Sequence, residues 1–159
     1  MAISDWSRDE VGGLDLILKK AVTDDKKSTA EELCQYGVEL LAGGSAAEAA
    51  ESFRAAINTG GDEPTLIEAH HGLVRALRDA GRLEQAVGAA LVLTALTPAD
   101  PLAHTALSIS LQTAGHVSEA EAAAARARVL EWKIQLQSPP GEENESLPVL
   151  PPAAKGEQP

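Results

Sequence analysis

Four histidines, His70, His71, His104 and His116, and one cysteine, Cys34, are the residues of this chain best equipped to hold a metal or move a proton. Two of them sit together in "EAHHGLVRALRDAG", with Arg75 and Arg78 four and seven residues beyond His71. Adjacent residues on a helix point about 100° apart, so His70 and His71 cannot grip one ion from a helix. A cysteine-based zinc site needs several thiolates, and the chain has one. No GxxxxGK[ST], GxGxxG, HExxH or GxSxG segment occurs, which removes the local signatures of phosphate cradles, zinc proteases and serine hydrolases. The expectation is therefore a protein that is not an enzyme and uses no metal and no cofactor, with a histidine metal site as the lesser alternative.

Composition narrows the partners. The 24 acidic residues outnumber 13 lysines and arginines, for a formal net charge of −11. That sign repels phosphate backbones, so no nucleic-acid partner is expected. A lone cysteine excludes an intramolecular disulfide and fits a reducing compartment. The most apolar stretch, "AVGAALVLTAL" (86–96), falls short of a membrane span, and "MAISDWSRDE" lacks the pattern of a secretion signal. No membrane association and a cytoplasmic location are expected by exclusion.

The elements that would position the histidines and arginines come from internal repetition. "GGSAAEAAESFRAA" from Gly43, "AGRLEQAVGAALVL" from Ala80 and "AGHVSEAEAAAARA" from Ala114 align without gaps, and their anchor glycines, Gly44, Gly81 and Gly115, are 37 and 34 residues apart. The three extra residues fall in "TGGDEP". Upstream of each glycine lies a set with helical spacing: Leu33, Tyr36, Gly37, Leu40; His70, Leu73, Val74, Leu77; His104, Leu107, Ser108, Leu111. Downstream, Ala49, Phe53 and Ala56 recur as Ala86, Ala90 and Leu93, then as Ala120, Ala124 and Ala127. Each unit is thus a helix, a glycine turn and a second helix. Capping boxes are expected at Ser45 with Glu48, Thr65 with Glu68 and Ser118 with Glu121. Asp100 followed by Pro101 is an expected helix start.

This pattern resembles the tetratricopeptide repeat (TPR) family, whose 34-residue helix-turn-helix follows W-x2-L-G-x2-Y, A-x3-F and P. The likeness covers about residues 30–134 and is carried by Tyr36-Gly37, Leu40, Ala49 and Phe53, by Leu73, Leu77, Ala86 and Pro98, and by Leu107, Leu111 and Ala120. Alanines stand where a large aromatic is usual in repeats 2 and 3, and histidines fill the opening Trp slot. The resemblance implies an all-α, right-handed superhelical solenoid of three repeats, about 30–63, 67–100 and 101–134. His70 and His104 then occupy equivalent packing positions.

The flanks fall outside the repeats. Residues 1–29 form an arm whose apolar set Trp6, Leu14, Ile17, Leu18 and Ala21 predicts a helix over roughly 14–22 that caps repeat 1. The last helix keeps its pattern to about Gln137, with Trp132, Ile134 and Leu136 as a C-terminal cap region, before Pro139-Pro140-Gly141 stops it. Residues 138–159 hold six of the nine prolines and are expected to be a disordered tail, with "LPVLPP" (147–152) a spacer or a polyproline II ligand.

By resemblance, the first helix of each repeat lines a concave groove. The implied groove positions are Glu31, Cys34, Val38 and Leu41; Glu68, His71, Arg75 and Arg78; Leu102, Thr105, Ile109 and Gln112. Val38, Leu41, His71, Arg75, Arg78, Thr105, Ile109 and Gln112 are the candidates for peptide contact. Apolar at both ends and basic in the middle, such a groove suits an extended or helical peptide with apolar anchors and an acidic centre. The alternative for the arginines is a helical pair of Arg75 with Asp79 and a solvated Arg78. The carboxylate clamp of TPR domains that hold Hsp70 and Hsp90 tails would fall on Cys34, Val38, Gly72, Leu102 and Ala106. None of these donates a clamp hydrogen bond, so those tails are disfavoured partners. The expected function is a non-catalytic adaptor or scaffold binding a protein or peptide. A small acidic secretion-type chaperone is the alternative.

Overall fold

The computed structural model describes residues 28–138. The expected capping helix of the N-terminal arm and the expected disordered tail lie outside these residues, save Ser138. Among the described residues every regular element is an α-helix: α1 Ala30–Ala42, α2 Ala46–Thr59, α3 Glu63–Asp79, α4 Leu83–Leu96, α5 Pro101–Thr113 and α6 Val117–Gln137.

Two kinds of helix start alternate. The odd-numbered helices open on side-chain caps. Thr29 and Glu32 form a reciprocal box at α1, with Thr29 Oγ1 accepting from the Glu32 N–H at 3.2 Å and Glu32 Oε2 accepting from the Thr29 N–H at 3.1 Å. Asp62 accepts from the Thr65 N–H at 3.2 Å, and Asp100 from the Leu102 N–H at 2.9 Å, with Pro101 opening α5.

The even-numbered helices start at Ser45, Arg82 and His116 without a side-chain cap. Here the preceding helix ends in a Schellman turn instead. Gly44, Gly81 and Gly115 take φ of 82°, 75° and 90°, and the next residue's N–H reaches back to Leu40, Leu77 and Leu111 carbonyls at 2.8, 2.9 and 2.8 Å. The repeat glycines thus carry the chain through positive φ at the turn within each pair, as Gly60, with φ of 75°, does between the first two pairs. The capping boxes expected at Ser45–Glu48, Thr65–Glu68 and Ser118–Glu121 do not form. Ser45 makes no side-chain cap bond, and Thr65 and Ser118 lie inside helices that begin at Glu63 and Val117.

Each glycine turn folds one helix back on the next, giving the pairs α1–α2, α3–α4 and α5–α6, and α2 and α4 also pack on the following pair. The α1 and α3 backbones approach closely, as do those of α3 and α5, whereas α2 meets α4 through side chains, Arg54 Nη2 donating to Gln85 Oε1 at 3.1 Å, and Glu84 of α4 lies 3.0 Å from His116 Nε2 at the start of α6. The odd helices therefore form a continuous inner layer, and the even helices pack against it from one side. Two core clusters fill the seams. One surrounds fully buried Phe53; the other joins Val74, Ala90 and Leu93 to Ala103, Leu107 and Ala120. Ser52 and Ser108 hydroxyls donate to the Leu33 and Ala120 carbonyls at 2.8 Å and tie helices within pairs 1 and 3.

Three local expectations are corrected. Tyr36 is 54% exposed, because Gly37 faces the Phe53 ring and puts Ala30 and Cys34, not Tyr36, on the same stripe. In α6 the buried positions are Ala120, Ala123, Ala127 and Leu130, so Ala123 rather than Ala124 takes the place opposite α5. Trp132, Ile134 and Leu136 are exposed. The reason is length: α6 has 21 residues and α5 has 13, so the last turns of α6 outrun their partner helix.

Candidate functional site

The inner layer carries a groove of about 520 Å³, lined by α1, α3 and α5 with one residue from α2 beneath. Val38 and Leu41 of α1 form one wall, and Leu102, Thr105 and Ile109 of α5 form the other. Glu68, His71, Arg75 and Arg78 of α3 lie between them, one helical turn apart or less. Phe53, Gly72 and Val74 reach the floor from below, and Ala42 and Ala106 complete the lining.

The structure brings together Val38, Leu41, His71, Arg75, Arg78, Thr105 and Ile109 from the sequence-derived set, and it adds Glu68 and Leu102 from the wider list. Gln112 is exposed but does not line the groove; it lies in the last turn of α5, beyond Ile109. Glu31 lies on a neighbouring depression with Glu32, Gln35 and Glu39. Cys34, also assigned to the groove by resemblance, is 3% exposed and packed in the core, with its Sγ 3.8 Å from the Thr65 carbonyl. The turn of α1 that seats Gly37 against Phe53 carries Cys34 inward. Burial, and then the nearby Glu68 carboxylate, push its thiol above the ordinary value of 9.0.

Gly72 and Phe53 were not among the sequence candidates. A helical-spacing signal was available, since Gly72 stands four residues after Glu68 and three before Arg75 on the same face. A Cβ at Gly72 would stand 2.4 Å from the Phe53 ring, and one at Gly37 would stand 2.8 Å from it. Two glycines on α1 and α3 thus make room for the one aromatic side chain under the groove.

The polar groups divide by how far they are already engaged. His71 Nε2 is 3.5 Å from the Asp100 carboxylate, so it leans toward the start of α5. The Thr105 hydroxyl donates to the Pro101 carbonyl at 2.9 Å. Arg75 Nε is 3.7 Å from Asp79, a long contact on a side chain two-thirds exposed. Arg78 makes no ion pair among the described residues. The walls are greasy and open: Val38 is 44%, Ile109 42% and Leu102 64% exposed.

The histidines do not converge. Burial, and then the His71 charge, hold the His70 ring below its ordinary 6.5. His104 Nε2 lies 3.0 Å from the Pro98 carbonyl, a contact that needs the proton on that nitrogen, and His116 Nε2 lies 3.0 Å from Glu84. Among the described residues no three His, Cys, Asp or Glu side chains gather as a metal ion would require. No helix there is long and apolar enough to cross a membrane.

Comparison of the chain with protein-family models and with curated proteins gives no match.

Proposed function

We propose that this protein is a non-catalytic interaction module of the three-repeat TPR kind, and that its groove binds a segment of a partner protein in the cytoplasm. One observation carries the proposal: aliphatic side chains of α1 and α5 and cationic side chains of α3 meet in one open groove, although the chain as a whole is strongly acidic. Local cationic charge on an acidic protein selects partners by complementarity and repels unsuitable ones. The repeat spacing and the Schellman glycines at Gly44, Gly81 and Gly115 support the TPR assignment. Within the groove, His71 Nε2 already faces the Asp100 carboxylate and the Thr105 hydroxyl donates to the Pro101 carbonyl, so the arginines are its least engaged polar groups.

The test is affinity purification of the full-length protein from its native host, repeated with Arg75→Glu and Arg78→Glu together. Arg75 is exposed and Arg78 half-buried at the edge of the groove, and neither belongs to the buried core, so the fold tolerates the change. Proteins retained by the wild type are expected to be lost or reduced at least about tenfold, since each cation–carboxylate contact is replaced by a repulsion. Retention unchanged by the double reversal rejects the groove as the binding site.

A further inference from the structure

The last helix carries two apolar stripes, and the fold uses one of them. Ala120, Ala123, Ala127 and Leu130 are buried in the protein. On the far side of α6, Ser118, Ala122, Ala125, Val129, Trp132 and Leu136 recur at alternating steps of four and three, and all six are exposed. Trp132 is 61% and Leu136 66% exposed. Steps of four and three are the 3.5-residue period of a coiled-coil seam, which here runs about 27 Å along the helix.

The seam is graded in size. Its N-terminal half is small, Ser118, Ala122 and Ala125, and its C-terminal half is large, Val129, Trp132 and Leu136. Two copies laid antiparallel about a two-fold axis set Ser118 against the partner's Leu136, Ala122 against the partner's Trp132, and Ala125 against the partner's Val129. Every large side chain then meets a small one, whereas parallel copies would crowd the two tryptophans together and leave gaps at the alanines. The flanking charges agree with that direction. Glu119 and Glu121 border the small half, and Arg126, Arg128 and Lys133 border the large half. None of the five is in an ion pair among the described residues. Antiparallel pairing brings Glu119 beside the partner's Lys133 at each end of the seam. Arg126 and Arg128 flank the axis, each near its own copy, which together with a length under three heptads keeps the association weak. The exposed face of α4 presents Leu91, Val92 and Leu96, but Glu84 is the one charged residue of that helix and gives a partner no direction. We propose that α6 is a self-association element through which two copies of this chain pair antiparallel. No residue lining the groove belongs to α6, so this pairing and the groove's binding role are independent.

The test is sedimentation velocity of the full-length protein from about 5 to 500 µM. The average mass is expected to rise from one chain toward two, with a dissociation constant of roughly 10–100 µM. Trp132→Glu changes an exposed side chain and should weaken the pairing at least about tenfold. Glu119→Lys should weaken it about threefold, and adding Lys133→Glu to the same chain should restore it. Direction is read by disulfide formation in a glutathione buffer. Ser118→Cys mixed with Leu136→Cys should give a linked pair, while neither variant links to itself, because equal positions lie about 27 Å apart and a disulfide needs Cα atoms within about 7 Å. A single-chain mass at every concentration overturns the proposal, as does Ser118→Cys linking to itself. A pairing that survives Trp132→Glu but is lost in Val92→Glu belongs to α4 and overturns it equally.

Discussion

The Phe53 ring is held between two glycines, and one substitution tests that arrangement against simple helix propensity. Gly72 lies inside α3, where alanine is favoured over glycine by about 1 kcal/mol. A Cβ there, however, would stand 2.4, 2.5 and 2.7 Å from three ring atoms of Phe53. Ordinary contact begins near 3.4 Å, so the ring must retreat by about 1 Å. It cannot move toward α1, because Phe53 is fully buried and a Cβ position at Gly37 is already only 2.8 Å from the ring. Overpacking of a filled core costs about 1–3 kcal/mol, and with no room to relax the upper part of that range applies. Gly72→Ala should therefore lower stability by about 1–2 kcal/mol net, the steric cost exceeding the propensity gain. Gly88 is the matched control: it lies inside α4, and a Cβ there meets nothing within 4 Å. Gly88→Ala should raise stability by about 0.5–1 kcal/mol. Urea unfolding followed by circular dichroism gives both numbers. Phe53→Leu in the Gly72→Ala background should recover part of the loss, read as a coupling energy in a double-mutant cycle. Equal stabilisation by the two alanines would refute the wedge between α1 and α3.

Three further outcomes follow from the same geometry. Asp100→Ala removes the cap on α5 and should cost about 1 kcal/mol in urea unfolding, whereas Asp100→Asn should restore most of it while losing the charge beside His71. His70 binds a proton less readily in the folded chain than in the unfolded one, so its contribution to stability is present above pH 6.5 and is lost as pH falls through the lowered folded value. The slope of urea midpoint against pH below 6.5 should flatten in His70→Gln. Cys34 should react with a disulfide reagent at pH 8 only as fast as the protein opens, and at once in urea, because the thiolate is disfavoured by burial and by Glu68. Rapid labelling of the native protein would contradict its place in the core.

Much of this arrangement is legible in the sequence because it rests on local rules. Glycine at 44, 81 and 115 marks the left-handed residue of each turn, and the 3.6 spacing of Leu73, Val74 and Leu77 marks a buried helix face. The Asp100-Pro101 start was equally readable, since a cap and its proline act within one turn. Most of the groove candidates also fall together, because one helix face carries His71, Arg75 and Arg78 whatever surrounds it. Cap choice was harder to read. The sequence offers a hydroxyl and a glutamate three residues apart at Ser45, Thr65 and Ser118, but a Schellman turn delivers the chain to α2 and α6 by backbone bonds, and Asp62 starts α3 three residues early.

The tertiary structure alone decided which way α1 faces. Gly37 must sit on the Phe53 ring of another helix, and that contact turns Cys34 into the core and Tyr36 out to solvent. It also fixed the size of the groove and the separation of its walls, which depend on how α1, α3 and α5 stack rather than on any one of them. The sequence by itself determined where helices begin and turn, because hydrogen bonds within a turn involve residues a few positions apart. Packing between helices involves residues tens of positions apart, and its outcome depends on side-chain volumes meeting in space.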